Sequence, residues 1–156
     1  MVDFWIKLGR AFALDAMGQS VLIPYLTYSS HSGRFEGHSP VVADANVFSH
    51  RAAGIGMLGQ YAISDKWVAS VNLDVQKLFA AETETNGQPA SFKTEGQYLV
   101  SGGAALDYAL TRHLHLGLEY KVSDYRYKQS AVTDGVVWPR MHVTDQALMV
   151  SLGVRF

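Results

Sequence analysis

The sequence has no cysteine, only 4 prolines and no excess of either charge: 13 Lys and Arg stand against 14 Asp and Glu in 156 residues. Without thiols there is no disulfide framework and no zinc-thiolate site. Without a basic stripe there is no electrostatic footprint for nucleic acid. No window approaches the roughly 18 continuous apolar residues of a transmembrane helix. The first residues lack the basic start and apolar core of a secretory leader, so an exported chain is expected to have shed its leader before residue 1. No phosphate loop, nucleotide fingerprint or nucleophile elbow is present.

What is present is 48% hydrophobic residues, 12% aromatics and 14 glycines, a mixture that suits one domain built of many strands. Six segments alternate with a period of two: 20–30, 52–63, 67–76, 97–110, 113–127 and 142–156. In 113–127, Leu114, Leu116, Leu118, Tyr120 and Val122 share one face while His115, Gly117, Glu119, Lys121 and Ser123 share the other. Several of these runs exceed the roughly 5 or 6 residues usual for strands in soluble sheets. Residues 64–66 and 111–113 are tight turns, whereas 31–44, 81–94 and 128–140 are long polar loops. Short turns at one end and long loops at the other are the layout of an outer-membrane barrel.

The expected fold is therefore all-β, an antiparallel transmembrane up-and-down β-barrel. Eight strands are expected and six are readable, with the missing pair sought in residues 34–50. Residues 2–15 fit a helix, because Trp5, Leu8 and Phe12 share one stripe apart from Asp3, Lys7 and Arg10. The expected division is an amphipathic helix at the membrane edge over residues 1–18 and a barrel over 19–156.

A soluble, lipocalin-like barrel would turn its greasy face inward. Against that stand the strand lengths and the rings of Tyr61, Trp67, Tyr98, Tyr108, Tyr120 and Phe156 on the apolar register, where they would form interfacial girdles. The closing Leu-Gly-Val-Arg-Phe resembles the assembly signal of Gram-negative outer-membrane proteins. With the greasy face outward, the inner half of the lumen holds Gln60, Ser70, Asn72, Asp107, His115, Glu119, Lys121 and Arg155, a plug whose charges must pair. The outer half turns Leu26, Leu78, Leu99, Val143, Ala147 and Met149 inward beside Ala52, Gly54 and Gly56. These either pack against one another or leave an acyl-chain pocket, with Leu26, Leu78, Leu99, Val143 and Met149 as its ligand-binding residues.

Asp3, Trp5 and the amphipathic stretch after them, then Leu22-Ile23-Pro24-Tyr25-Leu26-Thr27-Tyr28 with His31 just beyond, resemble the start of the lipid A palmitoyltransferase family PagP. The resemblance covers about the first 31 residues. It implies an eight-stranded barrel that moves palmitate from a phospholipid to lipid A, with a catalytic histidine at the outer end of the first strand. In that family the histidine directly follows the aromatic residue; here Ser29 and Ser30 intervene. The family's Asp-Ser pair has no counterpart beyond Trp67.

His31 would be the general base at the rim, with Ser123 and Tyr125 supplying hydroxyls from the end of their strand. The first functional expectation is an acyltransferase of the cell outer membrane, a monomer whose partners are phospholipid and lipid A. The alternative is a small noncatalytic barrel of the OmpA-like or opacity type, acting in adhesion or membrane integrity. His113 and His115 have a chelating spacing but no evident third ligand, so no metal is expected, and no cofactor.

Overall fold

A computed structural model describes residues 2–36, 45–85, 91–94, 96–129, 132 and 140–154. They form β1 (Val2–Gly9), β2 (Phe12–Ala13), β3 (Ser20–Glu36), β4 (Ala45–Ala62), β5 (Trp67–Thr85), β6 (Ser91–Thr94), β7 (Gly96–Ala109), β8 (Leu114–Tyr127) and β9 (Met141–Val154). All belong to one sheet with the path β1-β3-β4-β5-β7-β8-β9, and every pairing along it is antiparallel. The short β2 pairs with β3 and the short β6 with β5, continuing β1 and β7 respectively. There is no helix among the described residues.

All six sequence-predicted strands are present, and several are longer than expected. The pair sought in residues 34–50 is not a separate hairpin there. Instead β3 runs on to Glu36 and β4 starts at Ala45, paired throughout. Likewise β5 continues to Thr85 and pairs with β6, so the expected loop 81–94 is partly sheet.

The N-terminal helix expected over residues 1–18 is absent: β1 lies along β3 from Val2↔Ser32 to Gly9↔Tyr25. The strand alternation puts Ile6 and Leu8 in register with the outward-facing Tyr28 and Leu26, and Lys7 beside the inward-facing Thr27. An isolated amphipathic helix would leave every hydrogen-bonding group on this edge of β3 unpaired, whereas a strand satisfies them. Trp5, Leu8 and Phe12 thus do not form a single stripe.

The turn from β2 into β3 is built by Asp15 and Gly18. The Asp15 carboxylate accepts backbone N–H groups from Met17 at 3.0 Å, Gln19 at 2.9 Å and Ser20 at 2.5 Å. Those donors, Gln19 foremost, hold the exposed Asp15 carboxyl below its ordinary value of 3.8. Gly18 closes the turn at φ 68°, a left-handed conformation that glycine adopts without a steric cost.

The sheet is strongly curled. On a flat sheet β3 and β8 would be about 19 Å apart, four spacings of roughly 4.8 Å, yet the rings of His31 on β3 and Tyr125 on β8 have centroids 6.2 Å apart. The concave face buries Thr27, His50, Asp74, Gln76, Ser101 and Ser123. The convex face exposes Leu26, Ile55, Met57, Val71, Leu73, Val75, Leu118, Leu148, Val150 and Leu152. Polar groups lie inside and large apolar groups outside, the reverse of an aqueous sheet domain. Tyr61, Trp67, Tyr98 and Tyr120 lie on the convex face as the alternation requires, and Trp67 packs on Tyr108 with centroids 4.6 Å apart. Arg155 and Phe156 lie outside the described residues.

Candidate functional site

Two clusters occupy the concave face. The first is at the end bearing the long loops. His31 on β3 and His50 on β4 are direct cross-strand partners, and their rings stack with centroids 5.0 Å apart. Tyr125 and Tyr127 reach them from β8: Tyr125 lies 6.2 Å from His31 and 5.4 Å from His50, centroid to centroid. A hydrogen bond of 3.1 Å joins the Tyr127 hydroxyl and His50 Nδ1. His50 is 2% exposed.

Two of the three expected catalytic residues, His31 and Tyr125, are therefore brought together. Ser123 is buried on the same face of β8, one pleat nearer the turn end and in register with Ser101. His50 precedes the strand read over residues 52–63 and so escapes the sequence reading. Continuing the alternation backward through Gly56, Gly54 and Ala52 puts it on the inward face, and that signal was available in the sequence.

Beneath this cluster Leu78, Leu99, Ala52 and Tyr127 form a small buried core, with Tyr125 and Val143 packed against it. Three of the expected acyl-pocket residues, Leu78, Leu99 and Val143, thus meet on the concave side. Leu26 does not: it is 62% exposed on the convex face, because its neighbours Tyr25 and Thr27 point inward and the pleat alternates. Met149 has the inward register opposite Glu119, but lies on β9 at the end of the sheet's path and is 40% exposed.

The space that Gly54 and Gly56 were expected to leave is also taken. A Cβ on Gly56 would collide with the Tyr25 ring, and one on Gly54 with the backbone of Val75 and Gln76. An open depression of about 560 Å³ lies instead along Leu8, Pro24, Tyr25, Leu26 and Ile55, away from Leu78 and Leu99.

The second cluster lies nearer the turns and centres on Asp74, 3% exposed. Gln76 Nε2 donates to its Oδ1 at 2.7 Å and the Tyr25 hydroxyl to its Oδ2 at 3.4 Å, while Lys7 Nζ stands 4.0 Å from Oδ2. Lys7 also donates to the Tyr25 hydroxyl at 3.4 Å, and Ser29 Oγ donates to Gln76 Oε1 at 2.8 Å. The network ties β1, β3 and β5 together across the concavity. Lower still, Asn72 Nδ2 donates to Glu119 Oε1 at 3.5 Å. Of the expected polar plug, only this Asn72–Glu119 contact joins its members: among the described residues Asp107 and Glu119 make no ion pair with Lys121, and the most connected buried acid is instead Asp74. Its cation is Lys7, a partner hidden as long as residues 2–15 are read as a helix.

Among the described residues no group of three or more His, Cys, Asp or Glu side chains is placed to hold a metal ion. The chemistry available is that of imidazoles and phenols at the rim, above a packed interior. No protein family, curated protein or solved structure matches the chain. The resemblance of its first residues to lipid A palmitoyltransferases therefore rests on those residues alone.

Proposed function

We propose that the chain forms the wall of a small outer-membrane β-barrel that acts without catalysis, through its loop-bearing end. One observation carries this reading: the polarity of the sheet is inverted, with Asp74, Gln76, Ser101 and Ser123 buried in the concavity and a belt of Leu, Ile, Val and Met outside. In water that belt is costly at about 25 cal/mol per Å² of apolar surface, whereas in hydrocarbon it carries no such penalty. Closure of the curled sheet follows from the same physics, since an unpaired strand edge is not tolerated in a bilayer. The noncatalytic reading ranks first because the room foreseen for an acyl chain is filled by Tyr25, Leu78, Leu99 and Tyr127. A filled lumen suits a barrel that works through its loops, in adhesion or in bracing the membrane.

Acyl transfer between phospholipid and lipid A is the second reading, favoured by the meeting of His31 with Tyr125 beside His50. Both are tested by expressing the full chain in a Gram-negative host. The outer-membrane fraction should contain a species whose gel mobility changes on heating, and the lipid A mass spectrum should be unchanged. An added acyl mass that disappears with His31→Ala would establish the transferase instead. A chain recovered folded in the aqueous fraction would refute both.

A further inference from the structure

We propose that Arg51 and Lys77 on the convex face bind the phosphate of an anionic membrane lipid at the loop-end border of the apolar belt; this rests on the membrane-spanning reading. The strand registers put Tyr28, Ala53, Lys77 and Tyr98 in one lateral row across β3, β4, β5 and β7. Ser30, Arg51 and Phe79 form the next row toward the loops. Arg51 and Lys77 are therefore diagonal neighbours, for which side chains lie about 7–8 Å apart at their bases. Both are exposed. Tyr28 and Phe79 approach each other across β4, with ring centroids 6.3 Å apart, over the small Ala53.

Three features make this pair a site rather than ordinary surface charge. Among the described residues neither cation has a hydrogen-bond or carboxylate partner. By contrast, the acid on β8 of the same convex face, Asp124, is already engaged by Arg126 and His142. Two adjacent cations repel one another, and an anion between them removes the repulsion. Directly below, the rows Leu26, Ile55, Val75, Val100 and Pro24, Met57, Leu73, Gly102 contain no charge from β3 to β7, and the first meets Asp124 only on β8. A phosphate held above them thus has a hydrocarbon-compatible surface along which its acyl chains can run.

Division of labour follows from side-chain chemistry. The guanidinium can grip two phosphate oxygens in its fork, while the ammonium contributes a point charge on a flexible stem. Tyr28 and Tyr98 supply amphipathic rings that favour the headgroup level, and Phe79 lies beside the Tyr28 ring. On the turn side, Lys66 and Arg112 sit in turns instead of on the wall. They provide natural controls.

The test uses the full chain reconstituted in nanodiscs of phosphatidylcholine containing a minor fraction of phosphatidylglycerol, with retained lipid counted by native mass spectrometry. At about tenfold per 1.4 kcal/mol and about 1 kcal/mol per cation near an anionic surface, Arg51→Gln with Lys77→Gln should lower the preference for phosphatidylglycerol roughly 10–30-fold. Arg51→Lys should lose only part of it, and Lys66→Gln with Arg112→Gln none. Inorganic phosphate should not displace the lipid. Equal retention by wild type and the double variant, or displacement by inorganic phosphate, overturns the lipid site while leaving the barrel intact. Failure of wild type to enter any bilayer overturns the membrane reading itself.

Discussion

Leu73→Arg is expected to destabilise the protein in a bilayer by about 2–4 kcal/mol, the cost of a cation on the lipid face at the midplane of a membrane barrel. Leu73 is 55% exposed and stands midway along β5 between the convex-face rings of Trp67 and Phe79. At roughly 3.3 Å per residue each ring is about 20 Å away along the strand, and about 15 Å along the membrane normal at a tilt near 40°. That is half the thickness of a hydrocarbon core of about 30 Å. Its lateral neighbours are Met57 and Gly102, so the new cation finds no acid beside it. Phe79→Arg, at the border, should cost only about 0–1 kcal/mol.

The assay is equilibrium unfolding by urea in phospholipid vesicles, followed by tryptophan fluorescence and checked by heat-dependent gel mobility. In water an exposed Leu→Arg change falls within about ±0.5 kcal/mol, so the gap between the two environments is several times the error of the measurement. Equal small effects for Leu73→Arg and Phe79→Arg would refute the assignment of the convex belt to hydrocarbon.

Gly56→Ala places a methyl group against the Tyr25 ring and should cost about 1–3 kcal/mol; combining it with Tyr25→Leu should cost less than the sum of the two single changes in a double-mutant cycle. Lys7→Met removes the cation nearest buried Asp74. Breaking a buried pair costs about 3–5 kcal/mol, but the Lys7 side chain is 36% exposed, so a loss of about 1–2 kcal/mol in unfolding free energy is expected. No loss would mean that Tyr25 and Gln76 suffice for the carboxylate. For Asp15 the folded carboxyl titrates below its unfolded value. Its contribution is thus present above about pH 4 and lost as the pH falls through the folded value. Unfolding midpoints of wild type should drop over that acid window more than those of Asp15→Asn, and parallel profiles would show that the turn does not depend on the ionised form.

Most of the wall was legible because a period of two survives wherever one face meets a different solvent from the other. Leu116, Leu118 and Tyr120 on β8 and Leu148, Val150, Leu152 and Val154 on β9 show it most clearly, all exposed on the convex face as the alternation requires. The N-terminal strand was not legible, since Trp5, Leu8 and Phe12 also satisfy a helical stripe and eight residues do not separate the two periods. Pairing with β3 decides the matter, and pairing is nonlocal. Leu26 went wrong through phase: in Tyr25-Leu26-Thr27 the greasier residue was placed inside, although an inside-out sheet sends the tyrosine and threonine there. The rim was legible in His31 and Tyr125 but not in their company. Gathering them with His50 and Tyr127 depends on how far the sheet curls, and one strand's sequence does not encode curvature.

The strand directions limit how the proposed barrel could close from this open sheet. β1 and β9 both run from the loop end to the turn end, because an odd number of long strands separates antiparallel neighbours along the path. Direct β1–β9 pairing would be parallel, whereas an all-antiparallel wall needs one strand of opposite direction between them, which brings seven long strands to the expected eight. The two closures differ by one strand spacing, about 4.8 Å against about 9.6 Å. A disulfide requires Cβ atoms about 3.5–4.5 Å apart, and the chain has no cysteine of its own to confuse the result. Cysteine pairs combining Ile6 or Leu8 with Leu148, Val150 or Leu152 should therefore fail to cross-link within one molecule in the bilayer. A bond at any of them would show that the wall closes on itself in parallel and that the seven long strands are enough.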